Sequence, residues 1–222
     1  MTRSYSVATL KTRIRRRSNQ EGSKFITDDE LLEYIDSAAC ELYDILVTNY
    51  ADYFIDFANF NTVAGTNIYS LPANFYKLRA MDQVYNGESE NIDKFPFEDR
   101  NLFLKTTFRP PVDSNLKYCI MGQTVLLLPT PTLATSITLW YVPVMPKLTN
   151  DSQLVAGFSG WEEVIISECC ARIAIKAEED PAPHFRAKEK VIERIVLASR
   201  QRDVGSPDSV IDVTGVTKTV YY

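Results

Sequence analysis

Apolar residues recur at helical spacing near both ends of the chain and at strand spacing in its middle. Val7, Leu10 and Ile14 form one narrow apolar stripe, which predicts a first helix over residues 6–17. A Thr-Asp-Asp-Glu capping box then begins at Thr27 and marks the start of a second helix. Apolar positions repeating by three and four continue from there for about 24 residues, as in an amphipathic helix.

Two more helices are predicted in the last third of the chain. The third covers Trp161–Glu179 and is apolar nearly all round, which is typical of a helix buried on most sides. Its one polar stripe consists of Glu168, Arg172 and Lys176. Prolines end this helix, and a fourth, amphipathic helix is predicted over His184–Arg202. The inward residues of that fourth helix are Val191, Ile192, Ile195 and Ala198.

Between the second and third helices the apolar period changes to two, which predicts β-strands. Asn61–Met81 reads as a hairpin followed by a third extended run, with its tight turn at Gly65–Asn67. Residues 85–88 are a turn signal, residues 89–94 a polar bend, and residues 95–108 favour a short helix with Phe97, Leu102 and Phe103 facing inward. Other strand patterns lie at residues 52–59, 74–84, 116–121, 124–128 and 136–144.

Together these elements predict an α+β fold. A bundle of about four helices carries an inserted small antiparallel β sandwich or barrel-like module. Residues 1–51 and 152–202 form the discontinuous helical bundle domain, and residues 52–151 form the inserted antiparallel β module. Residues 203–222 follow as an extended C-terminal tail.

The tail, Asp203–Tyr222, contains Gly205, Pro207 and Gly215, which rule out a helix. Its β-branched and aromatic residues nevertheless have strong strand propensity. Because it has no neighbour in sequence to pair with, we expect it to add to a sheet of another chain. The expected partner-binding residues are Val210, Ile211, Val213, Val216, Val220, Tyr221 and Tyr222.

Composition and charge narrow the classes of function. The formal net charge is -5 and the sequence pI is about 5.1, which argues against indiscriminate nucleic-acid binding. No apolar run approaches the ~20 residues that span a bilayer, so no membrane partner is expected. The N-terminal segment has no apolar core of a signal peptide, and we expect the chain to fold and stay in the cytoplasm of the cell that makes it.

The sequence offers no catalytic, cofactor or metal site. Sequence signatures of nucleotide-binding loops, metalloproteases and serine hydrolases are absent. The one histidine, His184, opens a charged helix, where a cap or surface role is expected. The four cysteines lack metal-ligand spacing and are expected to be buried free thiols.

The first helix is strongly basic. Besides Lys11, it carries Arg13, Arg15, Arg16 and Arg17. One interpretation is a solvated face whose cations suit the C-terminal end of the helix dipole. The other is a contact with phosphate or with an acidic partner surface. Both stay open at this point.

Several short sequence segments follow one another in the same order as in a known protein family. The helix start TDDELLEYI, the AGTNIYSLPANFYKL hairpin, the GQTVLLLPTP strand and the TLWYVPVMPKLT strand precede a Trp-Glu-Glu helix and a charged last helix. This arrangement, covering residues 5–202, resembles the head-to-tail adaptors of tailed bacteriophages, also called gatekeepers, connectors or head completion proteins.

The resemblance implies a structural virion protein with no enzymatic activity. It implies a ring of about twelve copies, closed through heterologous contacts. Such a ring docks between the portal protein and the tail nozzle or tube proteins at the head-tail junction, and double-stranded DNA passes through it. Two alternatives remain: a carbohydrate-binding or hydrolytic tail component with paired carboxylates in a cleft, and a nucleic-acid-binding module using the basic helix.

Overall fold

The computed structural model describes residues 5–50, 52–85, 87–104, 116–155 and 160–200, which form a mixed α+β structure. The helices described are α1 (Val7–Arg17), α2 (Asp28–Asn49), α3 (Arg100–Leu104), α4 (Glu162–Lys176) and α5 (Ala182–Arg200). The strands are β1 (Tyr5–Ser6), β2 (Asp56–Asn61), β3 (Ile68–Ser70), β4 (Phe75–Tyr85), β5 (Glu88–Asn91), β6 (Asp93–Lys94), β7 (Lys117–Met121), β8 (Thr124–Leu128), β9 (Ser136–Pro143) and β10 (Leu154–Val155).

Side-chain caps fix where the first two helices begin. The Ser6 hydroxyl accepts a hydrogen bond from the Thr9 amide at 3.2 Å, and the Thr27 hydroxyl accepts one from the Glu30 amide at 3.2 Å. Each bond satisfies an amide that has no partner inside its helix. The predicted starts of α1 and α2 are therefore confirmed.

The four long helices share one hydrophobic cluster. Its fully buried side chains include Leu10 of α1, Ile35 of α2, Ile165 of α4 and Ile195 of α5. The predicted inward stripes of α1 and α2 are confirmed, since their members are buried or packed against this cluster. In α5 the prediction is wrong for Ala198, which is exposed near the end of the helix, where Leu197 is exposed as well.

Two four-stranded sheets lie between α2 and α4 in the chain. One has the order β2-β9-β4-β5 and is antiparallel throughout, and the other has the order β3-β8-β7-β6. In the second sheet the β6–β7 pair is parallel, so the expectation of a purely antiparallel module is wrong for that pair. A separate two-stranded sheet joins β1 to β10, with Tyr5 opposite Val155.

The predicted hairpin in Asn61–Met81 is wrong. β2 pairs with β9 and β3 pairs with β8, so the two strands belong to different sheets. Gly65 does adopt a positive φ of 80°, but its amide bonds to the Pro131 carbonyl at 2.9 Å, and the turn carries the chain across between sheets. A turn signal in the sequence therefore shows where a strand ends, but it does not show with which strand that strand pairs.

The segment after β4 also differs in part from the prediction. The predicted turn at residues 85–88 joins β4 to β5, and the predicted polar bend that follows forms strands β5 and β6. The short helix exists as a 3-10 turn, Phe97–Asp99, leading into α3. Phe103 packs on Phe95 with ring centroids 5.2 Å apart, whereas Phe97 and Leu102 are exposed.

The sheets have their own hydrophobic clusters. Met81 and Leu139 of the first sheet share a cluster with Val125 and Leu127 of the second. On the other face of the second sheet, Phe95, Cys119, Leu126 and Leu128 form a smaller cluster. Burial of apolar surface therefore holds the two sheets against each other.

Candidate partner-binding surfaces

Each of the four arginines singled out in α1 forms an ion pair within the subunit. Arg13 pairs with Glu162 at 3.1 Å and Arg17 pairs with Glu163, both at the start of α4. Arg16 pairs with Glu21 at 3.1 Å, and Arg15 with Asp28 at 2.8 Å. The solvated-face interpretation therefore fits Arg16 best, since its side chain is 69% exposed.

Arg15 has the most extensive contacts of the four. Besides Asp28, its guanidinium donates to the carbonyl oxygens of Ile26 at 3.0 Å and Ser23 at 3.3 Å. These bonds hold the connection between α1 and α2 against the end of α1. The Arg15 guanidinium also lowers the pKa of the Asp28 carboxyl, because it favours the charged form.

Glu162 connects α1 to the start of α4. Its carboxylate accepts from Arg13 and also from the Gly160 amide at 2.8 Å. Burial raises the pKa of this carboxyl, but the hydrogen bonds outweigh that effect and the pKa is lowered overall. The basic helix thus helps to hold the subunit together, whatever else its outer side contacts.

A shallow cavity of about 340 Å³ remains on this side, lined by Arg13, Arg16, Arg17, Glu163 and Ile166. Arg16 lines this cavity and is accessible to an acidic partner or to phosphate. That these residues face DNA or the portal protein stays a prediction.

Helix α4 is buried inside the subunit. Val164, Ile165, Cys169 and Ala171 are fully buried, and Ile175 near its end is exposed. The prediction that this helix is buried on most of its sides is therefore confirmed. The apolar residues that surround this helix are covered by α1, α2 and α5 of the same chain.

One buried carboxylate joins three helices. Glu168 of α4 is 8% exposed and accepts from Arg172 at 2.9 Å and from Lys188 of α5 at 2.8 Å. Lys188 also donates to Glu41 of α2 at 2.6 Å. Burial raises the pKa of Glu168, but bonds from Lys188 and Arg172 prevail and lower it. This network fixes α5 against α2 and α4.

An open apolar groove of about 790 Å³ lies where α2 meets the ends of β4 and β9. One wall is α2, with Leu42, Tyr43 and Leu46, and another is the segment after β9. The remaining lining residues are Ala39, Phe54, Ala73, Asn74, Pro143, Val144, Met145, Pro146, Leu148, Gln153, Leu154 and Val155. None of these lining residues is a carboxylate, so the cleft lacks the paired acids of a glycoside hydrolase.

Tyr43 fixes the floor of this groove. Its hydroxyl donates to the Pro143 carbonyl at 2.6 Å, and its ring lies 4.9 Å from that of Phe54. Burial raises the pKa of Tyr43 to about 12, so its hydroxyl stays protonated and available as a donor. The groove is therefore anchored by contacts between α2, β9 and the chain before β2.

Sequence reasoning missed this groove, because it predicted no strand or helix between residues 144 and 161. The available signal was the apolar pair Leu154-Val155, which forms β10. Leu154 is 61% exposed and Val144 is 48% exposed, although both line the groove.

The outer face of the β2-β9-β4-β5 sheet carries the exposed Phe57 beside the half-buried Trp140. Phe57 is 57% exposed and its ring lies 5.6 Å from that of Trp140, whose indole donates to Asp82 at 2.7 Å. Aromatic side chains left at least partly exposed on a sheet face are typical of contact surfaces.

Other expected site residues have plainer outcomes. His184 lies half-buried in the first turn of α5, where burial and the nearby Arg17 lower its pKa. Cys119, Cys169 and Cys170 are buried free thiols, as expected, whereas Cys40 is exposed. Within the described ranges, no group of His, Cys, Asp or Glu is placed to hold a metal ion.

The tail residues proposed as the partner-binding element lie outside the described residues, so that assignment stays a prediction. They are Val210, Ile211, Val213, Val216, Val220, Tyr221 and Tyr222. Among the helices that the structure describes, none combines the length and apolar character needed to cross a bilayer.

Ion-paired helix faces, an apolar groove and an aromatic sheet face define a subunit suited to contacts with other macromolecules. The chain belongs to the SU10 adaptor protein family, whose model matches residues 5–211. This confirms the resemblance to head-to-tail adaptors of tailed bacteriophages, and membership of the family implies a structural role in the virion, with contacts to portal and tail components. A comparison with curated proteins finds no match.

Proposed function

We propose that the chain forms a dodecameric ring that docks between portal and tail and lines part of the channel through which double-stranded DNA passes. The observation that carries this proposal is the family match over residues 5–211, nearly the whole chain. A ring subunit needs two different contact surfaces, one for each neighbour. The apolar groove and the aromatic sheet face supply two candidates on one subunit.

The proposal also assigns a separate role to each part of the subunit. Residues 1–51 and 152–202 act as the helical bundle, residues 52–151 as the inserted β module, and residues 203–222 as the partner-binding tail. Supporting this, the long helices share one hydrophobic cluster while the sheets share others. We expect limited proteolysis to cut within residues 147–157 before it cuts the four long helices, because exposed connections are cleaved first.

Arg16 is the arginine best placed to meet DNA or an acidic portal surface. Its side chain is 69% exposed, while the other three are more covered and their contacts stabilise the subunit. An acidic chain whose basic helix exposes Arg16 most fully fits DNA that slides past without tight binding. The competing nucleic-acid-binding module would require several free cations on one face.

Co-sedimentation with the cognate portal protein tests the proposal. The full chain should sediment with portal oligomers, and a chain truncated after Arg202 should stay folded yet lose stable association. Circular dichroism of the truncated chain separates lost binding from lost folding. If full chain and portal sediment independently at high protein concentration, the portal-docking role is refuted.

A further inference from the structure

The apolar groove contains side chains that the subunit itself leaves exposed. Leu154 and Val144 line it yet remain 61% and 48% exposed. An exposed apolar surface of this extent usually marks a contact site. The groove lies between the α2 wall and the β10 wall.

Strand β10 gives the groove a second feature that points to an extended occupant. It pairs with β1 on one side, and within the described residues it has no strand on the other. A free strand edge beside apolar pockets is the usual setting for strand addition. The added backbone bonds to the edge, and alternate side chains enter the pockets.

The same chain contains a segment with the matching pattern. Ile211 and Val213 alternate with Asp212, and the run Val216 to Tyr222 has further β-branched and aromatic residues. The described structure ends at Arg200, leaving residues 201–222 beyond it. Fully extended, a segment of that length reaches ~70 Å, enough to enter an adjacent subunit.

We propose that the groove receives the C-terminal segment of a second copy of this chain, with Ile211 and Val213 inserted beside β10. The tail of one subunit and the groove of the next then form the heterologous contact that a closed ring requires. This inference rests on the proposed function, because it presumes that copies of the chain assemble.

Disulfide trapping between two differently tagged full-length chains tests this. One carries Leu154→Cys and the other Val213→Cys, and both carry Cys40→Ser to remove the exposed native thiol of the described residues. A matched control replaces Leu154→Cys with Leu133→Cys, which is 62% exposed and lies outside the groove. Mixed chains are oxidised over a range of concentrations, with and without portal protein, and products are separated by mass.

We expect the covalent product joining the two tags to exceed the control by about tenfold, the ratio that a contact of ~1.4 kcal/mol provides. Adding Val144→Asp to the groove chain should reduce that product towards the control level. Equal yields at the groove and control positions, or no product in either, would overturn the inference. So would an intrachain disulfide that predominates in a dilute chain carrying both Leu154→Cys and Val213→Cys, since the occupant would then be the chain's own tail.

This result is separable from the proposed function. A chain that sediments with the portal but gives no groove-specific product retains its adaptor role and loses only this inference. Failure to sediment with the portal, together with groove-specific trapping, would leave the subunit contact standing.

Discussion

Changing the four arginines of α1 to glutamine should lower stability, and most of the loss should come from Arg15. Arg15→Gln removes a guanidinium that is 20% exposed and bonds to Asp28 and to two backbone carbonyls. Glutamine is too short to reach all three acceptors. The two carbonyls would then lose a charged donor at a partly buried position.

The size of the effect follows from how far each pair is covered. Hydrogen bonds to charged groups contribute ~1.5–3 kcal/mol, so we expect about 2 kcal/mol for Arg15. Arg13 and Arg17 pair with partly covered glutamates and should contribute about 1 kcal/mol each, between exposed and buried pairs. Arg16 pairs with an exposed glutamate and should contribute less than ~0.5 kcal/mol.

Thermal unfolding followed by circular dichroism measures these differences. About 4 kcal/mol in total corresponds to a Tm lowered by roughly 8–16 °C in a chain of this size. The matched control changes four exposed cations to glutamine, namely Lys24, Lys77, Arg186 and Lys190. If the α1 variant melts within ~2 °C of the wild type, the ion pairs do not persist in solution and the arginines are free for a partner.

Three other predictions concern the α5 contact and the thiols. Lys188→Met should cost about 2 kcal/mol by urea unfolding, because it leaves Glu168 and Glu41 without their shared cation, whereas Lys190→Met on the exposed side should be nearly neutral. The pKa of Glu168 lies below its usual 4.5, so its ion pairs stabilise fully above that pH and are lost as pH falls through the lower folded value; Glu168→Gln should flatten that acid dependence. A thiol reagent should label Cys40 in the native chain, and Cys169-Cys170 only on unfolding, because burial raises the pKa of both thiols, that of Cys170 to about 11.

The helices could be predicted because their determinants are local. The stripe Val7, Leu10 and Ile14 and the caps at Ser6 and Thr27 act within one or two turns, and the structure confirms them. Strand pairing is different, because it joins residues far apart in the chain. Gly65 signalled a turn correctly, yet β2 and β3 joined strands from separate parts of the chain.

The surfaces were harder to predict for the same reason. Arg13 and Arg17 are paired with glutamates 149 and 146 residues away, and no spacing rule shows such a contact. The groove combines α2, the chain before β2 and the segment around Leu154, so no single stretch of sequence contains it. The family resemblance was confirmed because it depends on the order of short sequence segments along the chain, which can be read without knowing any contact between residues.

Electron microscopy of the full chain mixed with its cognate portal protein tests the central claim most directly. For an adaptor we expect a closed ring of this subunit on one end of the portal, with an open channel along the common axis. Arg16 should lie towards the channel or the portal surface. Portal particles without added density, or this chain bound at a site away from the portal axis, would contradict the adaptor role proposed here.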